Sequence, residues 1–433
     1  MAIVAVVDTG LNVNHLDIKP QLWRNTGEVA GNNIDDDRNG VIDDIHGFDV
    51  ITGQSISSIG DPEGHGTHVA GIVATTSPEA EIMGIRILDE NGGGSLSDAI
   101  DAFSYALLNG ATVINNSYGA LGVSPSQVDF LQEVIQIGEE EFNAVFVAAA
   151  GNESANTDQI PNTPSNAQGM LSVGASNARG NPASFSNFGR STVDLFAPGV
   201  NILSADTFSV NGRVRLSGTS MASPVVAGAA ATLQDFDPSA SAEDIKNELM
   251  DSSIPQKRLQ GLAVTGGVLS NEFTSSFTQP LTPFNSSKGN RRGGNRSAKS
   301  NSENLGTALT KKSFDKIICV LEKPTRAEKK ELWNDLMDQD YTKKVEWPKA
   351  FGNRICILNL RKSHQSRPER KEAIRSMRKS GHFESVEWDR TISTNAGLHY
   401  TSIPSVVDGD SSSFLNLILP SQSEGPIESC SSC

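Results

Sequence analysis

Four residues of this 433-residue chain have the types and settings from which hydrolytic chemistry is built. Ser220 stands in Ser217-Gly218-Thr219-Ser220-Met221-Ala222-Ser223-Pro224, and the small apolar run that follows predicts a buried helix starting at that serine. A hydroxyl at a helix start is exposed, and the N–H beside it has no helical acceptor. One residue can then both attack a carbonyl and help hold the resulting oxyanion. A simple N-cap is the plainer use of such a serine. His65, in His65-Gly66-Thr67-His68, opens a second small-residue helix and offers an imidazole suited to general-base work. No cysteine or Glu-x-x-His partner completes a zinc set there, so His68 reads as packed or capping. Asp8 ends the β-branched run 3–7, which sets a carboxylate at the carboxyl end of a strand, where ligands bind in open α/β sheets. Asn152 closes the apolar run 144–150 at the same edge, with an amide able to donate to an oxyanion. A serine hydroxyl is a poor nucleophile until a base takes its proton, and an imidazole needs a buried carboxylate to fix its tautomer. The four supply an orienting acid, a base, an oxyanion donor and a nucleophile.

The elements that must position them alternate along the chain. Residues 82–88 read as strand, 97–109 as helix, 112–119 as strand and loop, 128–141 as helix and 144–150 as a fully buried strand. Further strand signals lie at 170–175 and 193–199, and a helix at 241–250 has Ser241 and Asp244 at cap spacing. Strand and helix in rotation predict an α/β fold, a mostly parallel sheet with helices on both faces. This pattern covers residues 1–272. Residues 273–312, rich in Ser, Asn, Gly and basic residues, read as a flexible linker. From 313 to 391 the order strand, helix, strand, strand, helix, strand predicts a small α+β domain of ferredoxin-like type. Residues 392–433 read as a disordered polar tail.

Charge divides the chain the same way. Residues 1–275 hold 11 Lys and Arg against 33 Asp and Glu, about −22, and the remainder holds 25 against 18, about +7. An acidic half repels phosphate, which excludes a nucleic-acid role for it, and no apolar run is long enough for a membrane span. All four cysteines lie beyond residue 318, so the N-terminal domain uses no disulfide or thiolate metal site. Five carboxylates crowd residues 32–44, a density that repels itself unless a cation sits in it. Asp35, Asp37 and Asn39 before Gly40, with Asp43 after it, follow the opening of a calcium loop, although no glutamate closes it at the twelfth position. A solvated acidic loop is the alternative.

Asp8-Thr9-Gly10, His65-Gly66-Thr67-His68, Gly218-Thr219-Ser220-Met221-Ala222 and Ala149-Ala150-Gly151-Asn152 each carry little information alone. In this order, 57 and then 155 residues apart from Asp8 to His65 to Ser220, they resemble the subtilisin-like serine peptidases over residues 1 to about 272. The resemblance implies Ser220 as nucleophile, His65 as base and acid, Asp8 as its orienter, and Asn152 with the Ser220 N–H as oxyanion hole. It implies a serine endopeptidase acting on peptides or proteins through an acyl-enzyme, without an organic cofactor. By the same matching, Ser117-Tyr118-Gly119 and Ala149-Ala150-Gly151 are the backbone edges that take an extended peptide as an added strand. Asn162 falls at the floor of the pocket for the residue preceding the cut, and Asp17 matches a calcium-site carboxylate.

The resemblance also implies a secreted or secretory-pathway protein, yet this sequence shows no signal peptide and opens inside the first strand, which reads as a truncated N-terminus. The domain at 313–391 resembles the family's propeptide-inhibitor domain, placed here after the peptidase. The opposed charges favour its docking in cis as an inhibitor or folding aid. The alternative function is a catalytically inactive or self-inhibited relative acting as a binding protein.

Overall fold

The computed structural model describes residues 1–270 and 273. In the C-terminal part it describes residues 316–321, 332, 336–337, 339, 342–348, 351, 355–360, 373–378, 383, 385–389 and 391–394. The linker reading of 273–312 and nearly all of the 392–433 tail lie outside these.

A ten-stranded sheet runs in the order Ile254–Pro255, Gly267–Val268, Leu195–Pro198, Met170–Ser176, Val145–Ala149, Val113–Asn116, Ile3–Asp8, Glu81–Arg86, Gly47–Asp49, Gln54–Ser55. Every neighbouring pair is parallel except the outermost pair at each end, which is antiparallel. Ile3–Asp8 lies in the middle, with Glu81–Arg86 on one side and Val113–Asn116 on the other. The chain therefore leaves it first to one side and then to the other, and a crevice opens where the order reverses. Asp8 is the last residue of that strand.

Both faces of the sheet are buried, which explains strands that are apolar throughout rather than alternately polar. Side chains alternate across a strand: Val4 and Val6 join one core with the helices His65–Thr76 and Thr219–Phe236. Ala5 and Val7 join the other, with the helices Leu96–Leu108 and Pro125–Phe142. The first pair of helices is rich in Ala, Gly and Ser because it packs closely. A Cβ at Gly66 would lie 2.3 Å from the Gly10 carbonyl oxygen and 3.1 Å from Asp8 Cβ, so only glycine lets the His65 helix start against the end of the Asp8 strand. Ser241 and Asp244 form the expected capping box ahead of the helix Ala242–Asp251.

In the C-terminal part, four strands form an antiparallel sheet in the order Thr342–Glu346, Ile355–Leu360, Lys316–Val320, Ser385–Trp388. Its two faces again separate by period two. Ile317, Cys319, Cys356 and Leu358 pack with Leu332, Leu336, Ala373 and Met377. Ile318, Ile355 and Ile357 instead join the core that contains Leu96, Phe130 and Val134 of the helices Leu96–Leu108 and Pro125–Phe142. One boundary differs from expectation. The tail does not begin at 392, because Thr391–Ser393 is a strand paired with Gly93–Ser95. Its partner lies almost 300 positions earlier, so no local pattern announces it.

Candidate active site

His65 and Asp8 are joined by a hydrogen bond of 2.8 Å from Nδ1 to Oδ1, with both side chains fully buried. The same carboxylate oxygen accepts from the Thr9 N–H at 2.7 Å, which fixes its orientation. Burial opposes a charge on the ring, but the Asp8 carboxylate, its hydrogen bond, and Glu63 and Asp61 outweigh it, and His65 is pushed up to about 9. Nε2, the nitrogen on the far side, is buried without a hydrogen-bond partner. His68 behaves oppositely: burial drives its pKa down to about 3, and its Nε2 meets the Val214 carbonyl at 3.1 Å, as a packed neutral ring should.

Asp61, which the motifs did not single out, ties this corner together. It accepts from Thr9 Oγ1 at 2.8 Å, Gly64 N at 2.8 Å, and Thr67 N and Oγ1 at 2.7 Å each. A carboxylate at the first turn of a helix also suits the helix dipole. Glu63 accepts from the His65 N–H at 2.8 Å, and burial raises its own pKa.

Ser220 is the second residue of the helix Thr219–Phe236. Its hydroxyl donates to the Ser117 carbonyl at 3.1 Å, and in return Ser117 Oγ donates to the Ser220 carbonyl at 3.0 Å. Pro224 explains the second bond. It stands four residues on and has no N–H, so the Ser220 carbonyl lacks a helical donor and Ser117 supplies one. Asn115 Nδ2 donates to Ser117 Oγ at 3.0 Å and its Oδ1 accepts from Ser223 at 2.7 Å, which locks the strand end to the helix.

Asn152 is held by its oxygen, which accepts from Thr219 N at 2.9 Å and Thr219 Oγ1 at 3.0 Å. A Cβ built at Gly218 would lie 3.6 Å from both Asn152 Nδ2 and the Ser220 nitrogen, so the two nitrogens flank this glycine. The sequence thus brings Asp8, His65, Asn152 and Ser220 to one rim of the sheet.

The subtilase family matches residues 1–302, about two thirds of the chain. This chain belongs to the subtilase family. It is 33% identical over 262 residues to subtilisin DY of Bacillus licheniformis, covering 58% of this chain and 82% of that protein. To subtilisin Savinase of Lederbergia lenta it is 37% identical over 202 residues, 45% of this chain and 71% of that one. A solved cold-adapted subtilisin-like serine proteinase shares the fold with a TM-score of 0.50 and 29% identity, over 62% of this chain and 88% of that chain. The subtilase is accordingly a serine-type endopeptidase with a subtilisin-like α/β fold.

The two edges expected to take substrate differ in how their backbone is used. Tyr118 is fully buried with its hydroxyl donating to Asn116 Oδ1 at 2.7 Å, so only its backbone is available to a peptide. Ala149 ends the strand Val145–Ala149, and the Ala150 carbonyl already accepts from Asn162 Nδ2 at 3.1 Å and Asn187 Nδ2 at 2.9 Å. Gly151, at φ 103°, donates its N–H to Thr219 Oγ1 at 3.1 Å. Asn162 itself is buried in the short strand Asn162–Thr163, where it orders the Ala150 edge. Gly119 is the edge in use: its N–H donates to the Ser393 carbonyl at 2.8 Å and its carbonyl accepts from Ser393 N at 3.1 Å.

The acidic loop also rearranges the expected metal set. Glu28, Asp37 and Asp44 bring carboxylate oxygens within 4.8 Å of one another. Asp35 accepts instead from the N–H groups of Asn39 and Gly40, and Asp43 from those of Gly31 and Asn33, so both are spent on stitching the loop. Asn39 donates to Asp37 and Asp44. Asp17 is a correction too: it makes a two-pronged ion pair with Arg213 at 2.7 and 2.8 Å, whose hydrogen bonds hold its carboxyl below the usual range. Burial raises Asp44, against donors from Tyr105, Asn39 and Asn25. None of the ion pairs among the described residues reaches Glu28, Asp37 or Asp44. Three carboxylates, two of them buried, with only neutral donors beside them suit a hard cation.

Proposed function

We propose that this subtilase cleaves peptide bonds with Ser220 as nucleophile, His65 as general base and acid, and Asp8 as the residue that orients and charges the imidazole. The buried Asp8–His65 bond carries the reading, since it fixes the tautomer that leaves Nε2 to take a proton. For reaction, the Ser220 hydroxyl leaves the Ser117 carbonyl and passes its proton to Nε2 as Oγ bonds to the substrate carbonyl carbon. The Asn152 amide and the Ser220 N–H receive the oxyanion. His65 returns the proton to the leaving amine, the C–N bond breaks, and water then hydrolyses the acyl-enzyme by the same route.

Labelling with a fluorophosphonate tests this, because only a serine activated by a base reacts at neutral pH. Label is expected on wild type, and none on Ser220→Ala. A wild-type protein that takes no label would return the chain to the reading of an inactive binding relative.

Calcium is proposed at Glu28, Asp37 and Asp44, where it would neutralise the loop and tie it to the Leu96–Leu108 helix through Tyr105, whose hydroxyl donates to Asp44 at 2.5 Å. We infer secretion from the family resemblance; among the described residues no helix is long and apolar enough to cross a membrane. We also infer that the C-terminal sheet is an intramolecular partner of the peptidase, supported by the apolar face it shares with the helices Leu96–Leu108 and Pro125–Phe142.

A further inference from the structure

We propose that Cys319 and Cys356 form a disulfide when the chain folds in an oxidising medium, a covalent bond across the C-terminal sheet that the rest of the fold then seals from solvent. The proposal stands on strand register and burial and is independent of the peptidase reading above.

The two residues lie 37 positions apart in the sequence and meet through strand pairing. Lys316–Val320 and Ile355–Leu360 run antiparallel, in a register that sets Cys319 directly opposite Cys356, Ile318 opposite Ile357 and Ile317 opposite Leu358. Residues so opposed have Cα atoms about 4.5 or 5.5 Å apart, according to which kind of pair they form. Both values lie inside the range of about 4.4–6.8 Å that a disulfide spans, so the sheet can take the bond without changing register.

The period of two sends both thiols to one face. Cys319 and Cys356 are fully buried and share a core with Ile317, Leu358, Leu336 and Met377. Ile318 and Ile357, on the opposite face, join the core of the helices Leu96–Leu108 and Pro125–Phe142. A slip of one residue would part the cysteines and exchange the two faces, and apolar packing on both sides opposes it.

Burial also dictates when the bond can form. An external disulfide cannot reach a thiol enclosed by aliphatic side chains, so the bond is made while the two strands are coming together. With oxidised glutathione as co-reactant, the thiolate of one cysteine attacks a glutathione sulfur and expels one glutathione thiolate, leaving a mixed disulfide. The thiolate of the other cysteine then attacks the protein sulfur and expels the second glutathione. Two protein thiols lose two electrons, one glutathione disulfide gains them, and the two protons pass to the departing thiolates. Secretion, inferred above, would supply such a medium, whereas a reducing compartment would leave the pair as thiols. The bond would tie the strand at the centre of the sheet to the neighbour with which it presents Ile318, Ile355 and Ile357 to the peptidase helices.

The test uses the full chain with Ser220→Ala, which keeps self-digestion out of the readout, and with Cys430→Ser and Cys433→Ser, which leaves one possible pair. The protein is made once by export to an oxidising compartment and once in a reducing cytosol, alkylated, and digested with trypsin. Mass spectrometry should find peptide 317–326 joined to peptide 355–361 in the exported protein and both peptides alkylated in the other. Both peptides alkylated in the exported protein would overturn the proposal. Three of the four tryptophans, at 333, 347 and 388, lie in this part of the chain, so their fluorescence follows its melting. The exported protein should melt about 5 °C or more above the cytosolic one, and Cys356→Ala should melt alike from both sources. A joined peptide with no rise in melting temperature would overturn the bond as a staple of the sheet. The folded cytosolic protein should react with oxidised glutathione at least about tenfold more slowly than the same protein opened in urea, and equal rates would overturn the sealing.

Discussion

The Asp8–His65 corner and the seam that holds the C-terminal strand are both buried and both built on carboxylates, yet they balance charge differently. At the corner one carboxylate faces one imidazole, backed by backbone donors. At the seam Asp98, Asp101 and Asp389 share, among the described residues, the ammonium of Lys316, with Glu346 nearby. Burial pushes Asp101 and Asp389 up to about 7, against the pull of Lys316, whose own pKa rises through those same carboxylates despite its burial. A matched pair keeps its geometry over a wide pH range. An unmatched cluster holds together only while some of its members keep their protons.

Experiments that break one region and spare the other sharpen this contrast. The largest effect belongs to the corner: Ser220→Ala should cut kcat by about 10⁶, the loss known for subtilisin and carried over from that relative. Asn152→Leu, which removes the amide proposed as an oxyanion donor, should cost about 10²–10³ in kcat with KM little changed, again on subtilisin's own scale. Burst-phase assays of both variants check this, and an Asn152 variant of wild-type kcat would move the oxyanion hole elsewhere.

The pH profile separates the two regions. In the proposed mechanism His65 must lose its proton to act as base, so kcat should climb with pH toward about 9. For the seam the sign follows from proton uptake. The docked state, with Asp101 and Asp389 near 7, binds more protons than an undocked one with ordinary carboxylates near 4. Docking is therefore strongest at low pH, weakens between about 4 and 7, and stays at its weakest above that. Limited proteolysis of the full chain should accordingly release the C-terminal sheet faster at pH 8 than at pH 5, and equal rates would remove the seam's carboxylates as its cause.

Smaller effects concern stability. Saturating calcium, at about 100 times its Kd, should raise Tm by about 5–10 °C, corresponding to about 2.7 kcal/mol, and Asp44→Asn should abolish the shift in a thermal melt. Arg213→Ala, at a half-exposed partner of Asp17, should cost no more than about 1 kcal/mol in urea unfolding.

What could be read before the coordinates was local. Asp8 ends a strand, His65 opens a helix, Ser220 is the second residue of another and Asn152 lies just past the strand Val145–Ala149, and the period of the neighbouring apolar residues states which element each belongs to. The parallel sheet followed from strands without polar alternation. What could not be read depends on pairing across the chain. Glu28 joins Asp37 and Asp44 from outside the crowded stretch, Asp17 meets Arg213 196 positions away, and Ser393 meets Gly119 through backbone alone. The Ser117–Ser220 exchange was hidden for a different reason: Pro224 signals a missing donor, but nothing in the sequence names the replacement.

The alternation along Lys316–Val320 carries one more consequence. Because Ile317 and Ile318 serve two separate cores, a chain that let go of its C-terminal sheet would bare Ile318, Ile355 and Ile357 on one piece and the oily flank of the Phe130 helix on the other. Water is a poor resting place for either. A peptidase parted from its sheet would, at high concentration, trade its own cover for that of a neighbouring copy, so crowding would favour association.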